Sequence, residues 1–198
     1  MVTRASQRSA ASQSSIDPRD SLVIVSCYPD GLCDPSIPAW LADRGFDLGP
    51  AGFVRGCVRD VTCALNQAVR VFLASPKTWL LYIERDLQVG PVCDPLLVAA
   101  EDLACVQYDV GIPGAWSHPL AFHTGMWRAR RGVLEAIAPP WFLPEYTADG
   151  TEVATCCCGH FARKATAAGF SIARAGQAGH RPRGTSHAGP HWLAVAGA

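Results

Sequence analysis

The chain has 198 residues, 49% of them apolar and 17% charged, and its formal net charge is zero. That length supports one domain with a sizeable core, and the apolar content argues against a disordered chain. The charge balance gives no reason to expect a nucleic-acid groove or an anionic membrane surface as partner, and no apolar run reaches the roughly 18 residues that span a bilayer.

The first 20 residues are rich in Ser, Arg and Gln and lack the apolar middle of a secretory signal, so they read as a flexible tail. With no export signal the default compartment is the cytoplasm. The nine cysteines are odd in number and sit mostly inside apolar segments. They read as reduced, buried thiols rather than a disulfide framework. The domain proper is expected over residues 21–181, with a second loose tail, rich in Gly, Pro, His and Arg, over 182–198.

In chain order, the continuous apolar run at 22–27 predicts a buried strand, followed by a loop dense in turn formers. A short helix is expected at 37–44 and a short strand at 52–57. Apolar residues at Val61, Leu65, Ala68, Val69 and Phe72 have the spacing of an amphipathic helix over 60–74, stopped by Ser75-Pro76. Residues 78–83 predict a second buried strand with Glu84-Arg85-Asp86 at its carboxyl end. Beyond it come a helix at 95–103, a strand at 104–108, a loop at 111–119, a strand at 122–127 and a helix at 131–138. The chain continues with an exposed loop at 143–152, a helix at 159–169 with Gly169 as its left-handed stop, and a strand at 170–173. The alternation predicts an α/β fold: one domain with a mixed central sheet flanked by helices.

Four segments, in order, carry a resemblance to a known family. They are the opening strand at 22–27, and Ala64-Leu65-Asn66 followed by a hydrophobic strand ending in Glu84-Arg85-Asp86. Then come Gly125-Met126-Trp127-Arg128 with Pro140-Trp141-Phe142, and Phe161-Ala162-Arg163 with Gly179-His180. Together they resemble the GT-A glycosyltransferases, especially small family-2-like members, over about 160 residues. The resemblance implies a Rossmann-like nucleotide-sugar fold and an Asp-x-Asp-type metal motif represented by Glu84-x-Asp86. It implies transfer of a sugar from a nucleotide-sugar donor to a hydroxyl acceptor with Mn²⁺ or Mg²⁺. A hard cation held by carboxylates bridges the diphosphate and offsets the charge that grows as the glycosidic bond breaks. By resemblance Asp86 is a metal ligand, His180 adds an imidazole, and Glu84 orients the metal or the ribose. Arg128, with Arg130 and Arg131, either reaches a diphosphate or belongs to a solvated basic face.

The sequence also departs from the family. Where many inverting members carry an acidic pair at the start of the later helix, this chain has Cys157-Cys158. A thiol is a poor substitute for a carboxylate base. Either Asp149, Glu152 or His160 supplies the base, or the chain is a catalytically impaired binding or interaction module. Residues 156–160, Cys-Cys-Cys-Gly-His, also invite a zinc reading, which adjacent cysteines fit badly. A Cys158–His160 nucleophile would lack an orienting third group. The spacing His187-x-x-x-His191 has no cysteine pair before it.

Overall fold

Strand β1 (Ser21–Cys27) forms where the sequence turns continuously apolar, and both its faces are covered, as such a run requires. The computed structural model describes residues 15–27, 32–46, 53–55, 61–108, 122–180 and 193–194. β1 lies parallel to β3 (Phe53–Arg55) on one side and to β4 (Trp79–Glu84) on the other. β4 pairs antiparallel with β7 (Met126–Arg130), which pairs antiparallel with β6 (Leu103–Tyr108). β6 then runs parallel to β10 (Ile172–His180), whose last residues pair antiparallel with β5 (Leu87–Gln88). The result is a seven-stranded mixed sheet of order β3-β1-β4-β7-β6-β10-β5.

Two-residue side-chain alternation assigns the faces. Val23, Val25, Leu81 and Ile83 point toward α1 (Ser36–Asp43) and α3 (Pro95–Val98), where they meet Ile37, Leu41 and Leu96. Ile24, Leu80, Tyr82 and Trp127 point toward α2 (Val61–Ala74), α4 (Arg131–Ala136) and α5 (Cys157–Ala167), where they meet Leu65, Phe72, Leu134 and Phe161. The α/β class and the helix-flanked mixed sheet are as the sequence predicts. Gly169, at φ +87°, stops the chain just beyond α5 in the left-handed conformation that glycine adopts without strain.

Several boundaries differ from the sequence expectation. α3 ends at Val98, preceded by a tight 3-10 turn at Pro91–Cys93. β7 starts at Met126 rather than at 122 and runs on through a wholly buried Arg128. The expected loop at 143–152 contains a hairpin of β8 (Glu145–Tyr146) and β9 (Val153–Thr155). β10 extends to His180 through Ala, Gly and Gln, residues with little strand preference, so its length is invisible to propensity. Gly176 shows the tertiary reason: at φ +88° any Cβ would lie 2.7 Å from the Val92 carbonyl. The tails are also not wholly loose. Ile16 is buried and its N–H donates to the Leu97 carbonyl at 3.0 Å, while β11 (Leu193–Ala194) pairs with β2 (Leu32–Cys33). The expected loop at 111–119 lies outside the described residues.

Asn66 on α2 ties the helix layer together. Its Nδ2 donates to the Phe142 carbonyl at 2.7 Å and its Oδ1 accepts from the Trp141 and Phe142 N–H groups at 2.9 and 3.2 Å. Trp141 and Phe142 are thereby held in the core. Replacing Asn66 with Ala leaves these backbone groups without their partner, so Asn66→Ala is expected to destabilise the domain by about 2 kcal/mol in urea unfolding. A loss below about 0.5 kcal/mol would show that the clamp is dispensable.

Candidate functional site

β1, β4, β6 and β10 all direct their carboxyl ends to one edge of the sheet, and β4 delivers Glu84 there. Because side chains alternate, Tyr82 and Glu84 share a face with Ile24 and Ser26, their register partners on β1. The chain returns to this edge just before β7, where the Gly125 carbonyl accepts from the Glu84 N–H at 2.6 Å. Thr124, buried beside it, hydrogen-bonds the Glu84 carboxyl and approaches Cys158 Sγ at 3.5 Å through Oγ1. The N-terminus of α5 therefore lies over the end of β4. Cys156 caps that helix, its Sγ accepting from the Gly159 N–H at 3.4 Å.

Burial governs the electrostatics of this cluster. Desolvation, reinforced by the Asp86 charge and opposed by the Thr124 hydrogen bond, raises the Glu84 pKa to about 8. Desolvation also lifts the Tyr82 phenol well above its ordinary value, with Glu84 adding to the effect. The Tyr82 hydroxyl is wholly buried with no partner within hydrogen-bond geometry among the described residues, and the Ser26 side chain beside it acts to lower its pKa. The Cys157 thiol is lowered by its hydrogen bond to the Cys158 side chain, against the opposing effect of burial. For Cys158, the Cys156 thiol lowers the pKa, but Cys157 and burial outweigh it and push the value up to about 11.

The structure separates the residues singled out from the sequence. Asp86 sits in the turn between β4 and β5, and the ladder places His180 opposite Leu87, one residue further along. The His180 imidazole lies outside the described parts of the chain. Glu84 and Asp86 are thus adjacent to the end of β10 that carries His180. Asp149 and Glu152 lie in the exposed β8–β9 hairpin instead. The Asp149 carboxylate accepts from Thr147 Oγ1 at 2.5 Å and from the Thr151 N–H and Oγ1 at 3.2 and 2.9 Å, which holds its pKa down.

His160 belongs to a latch between α5 and the hairpin. Its Nδ1 lies 2.9 Å from Glu145 Oε1, and Arg163 bonds the same oxygen and donates to Thr155 Oγ1 at 3.0 Å. Arg163 first and then His160 hold the Glu145 pKa down, so Glu145 accepts and His160 Nδ1 donates. His160 Nε2 is buried and has no hydrogen-bond partner among the described residues.

Arg128 corrects the diphosphate reading. It faces Leu81 across the ladder, three residues before Glu84 on β4, and its guanidinium donates to the carbonyls of Ala99, Glu101 (3.0 Å) and Leu97 (3.5 Å). It also lies over the Trp79 ring at 4.5 Å, and desolvation lowers its pKa to about 10. Its Nη donors are engaged on the α3 side of the sheet rather than at the edge, while its buried Nε has no partner among the described residues. Arg131 likewise donates to carbonyls at the end of α2, those of Phe72, Leu73, Ser75 and Lys77.

Sequence reasoning missed Tyr82, Thr124 and Glu145. Strand alternation from Glu84 points to Tyr82 directly, whereas Thr124 and Glu145 reach the site through contacts that no local pattern encodes. Among the described residues no group of three His, Cys, Asp or Glu side chains is arranged to hold a metal, so residues 156–160 form no zinc site with them. The His187–His191 pair lies outside the described residues.

No protein-family model matches the sequence, and no curated protein matches it significantly. Among solved structures the chain is similar to A197 from STIV, at 15% identity and TM-score 0.48, covering 80% of each chain. It is also similar to glucosyl-3-phosphoglycerate synthase from Mycobacterium tuberculosis, solved in complex with Mn²⁺, UDP and phosphoglyceric acid. That match has 16% identity and TM-score 0.47, and covers 82% of this chain and 71% of the other.

Because the folded Glu84 carboxyl titrates at about 8 against an ordinary 4.5, the folded state holds a proton there that the unfolded chain has lost. Its contribution to stability is complete at low pH and is lost as pH rises from 4.5 toward 8. Glu84→Gln removes the titration. The variant is expected to gain stability relative to the parent as pH rises through that window, with a plateau above it. Parallel stability–pH curves from thermal unfolding would contradict the burial of this carboxyl.

Proposed function

We propose that the chain is a metal-dependent glycosyltransferase that moves a sugar from a nucleotide-diphosphate donor to a hydroxyl acceptor. The observation that carries this reading is the β5–β10 ladder, which sets His180 opposite Leu87 and so brings the end of β10 to Glu84-Arg85-Asp86. The meeting point is the carboxyl edge of the sheet, where open α/β folds bind ligands.

The donor set fits a hard divalent cation. Glu84 and Asp86 are neighbouring carboxyls whose like charge, added to burial, keeps a proton on Glu84. A dication relieves both penalties. Mg²⁺ and Mn²⁺ are commonly held by one or two carboxylates with substrate phosphates completing the shell, so two described carboxyls suffice for a nucleotide-dependent site. Asp86 and His180 would hold the ion and Glu84 would orient it or the ribose. When bound, the ion would neutralise charge on the departing diphosphate. Among the candidate bases, His160 is the best prepared, because Glu145 fixes Nδ1 as donor and leaves Nε2 to accept a proton.

A second reading, a nucleotide-binding module without transfer, draws on a different observation. The helix start beside Glu84 carries Cys157 and Cys158, thiols in the place of a carboxylate base.

Calorimetric titration with UDP and GDP, with and without Mn²⁺, tests the site. Binding is expected with Mn²⁺ and is expected to weaken at least about tenfold in Asp86→Ala. Nucleotide binding that ignores both the metal and Asp86 would overturn the assignment. Turnover of bound UDP-sugars supports the transferase, and tight binding without turnover supports the module.

A further inference from the structure

The turn that carries Asp86 is short and is held from outside itself. Only Arg85 and Asp86 separate β4 from β5, and the β5–β10 ladder covers Leu87 and Gln88 alone. The other anchors come from the segment between β2 and α1. The Asp34 N–H donates to the Arg85 carbonyl at 2.7 Å. Just past β5, the Val89 N–H donates to Ser36 Oγ at 3.0 Å. Ser36 Oγ in turn donates to Asp34 Oδ1 at 2.7 Å, and the same oxygen accepts from the Ser36 N–H at 2.9 Å.

One hydroxyl therefore links both ends of the stretch that contains Asp86. Arg85 is tied to Asp34, Asp34 to Ser36, and Ser36 to Val89. Ser36 opens α1, whose Ile37 and Leu41 are buried in the same core as Ile83 and Leu87, so the hydroxyl stands on a packed base. Asp34 and Val89 are themselves buried, so water does not replace a lost partner at either. Asp86 is partly exposed, so a ligand can reach the carboxylate that this arrangement holds.

We propose that Ser36 is a positioning residue for the metal–nucleotide site. Acting through Asp34 and Val89, it fixes the turn that aims Asp86 and so sets the affinity for a divalent cation bound with a nucleoside diphosphate. Ser36 itself touches neither ligand. The inference rests on the metal reading of Glu84-x-Asp86. A small hard cation demands close placement of its ligands, and the outer partners that hold those ligands are worth about 10–100-fold in metal affinity. A hydroxyl that did no more than satisfy Val89 would change stability and leave the affinity of the folded chain untouched.

The test uses the full chain and follows the electron paramagnetic resonance signal of free Mn²⁺ during titration with UDP present. Ser36→Ala is expected to weaken Mn²⁺ binding at least about tenfold, and Ser36→Thr, which keeps the hydroxyl, is expected to restore it. Coupling between two sites is reciprocal. In the parent chain, Mn²⁺ with UDP is therefore expected to slow amide hydrogen exchange at Val89 by about tenfold. That arm needs no variant, so a Ser36→Ala chain that folds poorly does not blur the result. Equal Mn²⁺ affinity in parent and Ser36→Ala, a loss that Ser36→Thr shares, or Val89 exchange indifferent to the metal would overturn the positioning role alone. A parent chain that binds no Mn²⁺ with UDP would overturn the metal reading, and the positioning role with it.

Discussion

The contact on which the candidate site depends is Tyr82 against Trp127 across the β4–β7 ladder, with ring centroids 5.5 Å apart. Trp127 is also ringed by Phe122, Phe142 and Phe161, so one side chain joins β7, the α5 helix and the segment held by Asn66. This aromatic cluster fixes the height of α5 over the sheet. It also fixes the register of β4, because a one-residue slip would exchange Tyr82 for Leu81 or Ile83 on that face. With the register set, Glu84 must emerge on the α5 side of the carboxyl edge. The desolvation that keeps it protonated follows from the same packing.

The polar residues near this core are mostly structural. Arg128 and Arg131 direct their guanidinium groups to backbone carbonyls, and Asn66 holds both polarities of the Trp141-Phe142 backbone. Each satisfies main-chain groups that would otherwise be buried without partners. The Glu145–His160–Arg163 latch does the same work between elements, joining the β8–β9 hairpin to α5. It also supplies the orienting carboxylate that a histidine acting as a base requires, which the sequence reading lacked. The first turn of α5 is held in the same way, with Cys156 capping the helix and Cys158 beside Thr124.

The fold was legible where composition and period agree. The apolar runs of β1 and β4, the amphipathic repeat of α2 and the glycine stop after α5 follow from local rules. The course of β10 was not, because Gly176 and Gly179 are selected by the approach of Val92 and Gln88 rather than by strand preference. The end of β7 was placed too early because a buried arginine looks polar in sequence, yet the charge of Arg128 is met by carbonyls far along the chain. At the site, Glu84 and Asp86 were readable from their position after an apolar strand. The exposure of Asp149 and Glu152 was legible as a loop at 143–152, but the β8–β9 pairing there and the carbonyl engagement of Arg128 are tertiary facts. No spacing in the sequence discloses them.

The central claim is that the turn after β4 and the end of β10 form one metal–nucleotide site. Paramagnetic broadening of backbone amide signals by Mn²⁺ in the presence of UDP tests it most directly. The account predicts that amides of residues 84–88 and 178–180 broaden together, while those of the 147–152 hairpin stay sharp. Broadening confined to the hairpin, or broadening of 84–88 without 178–180, would contradict it.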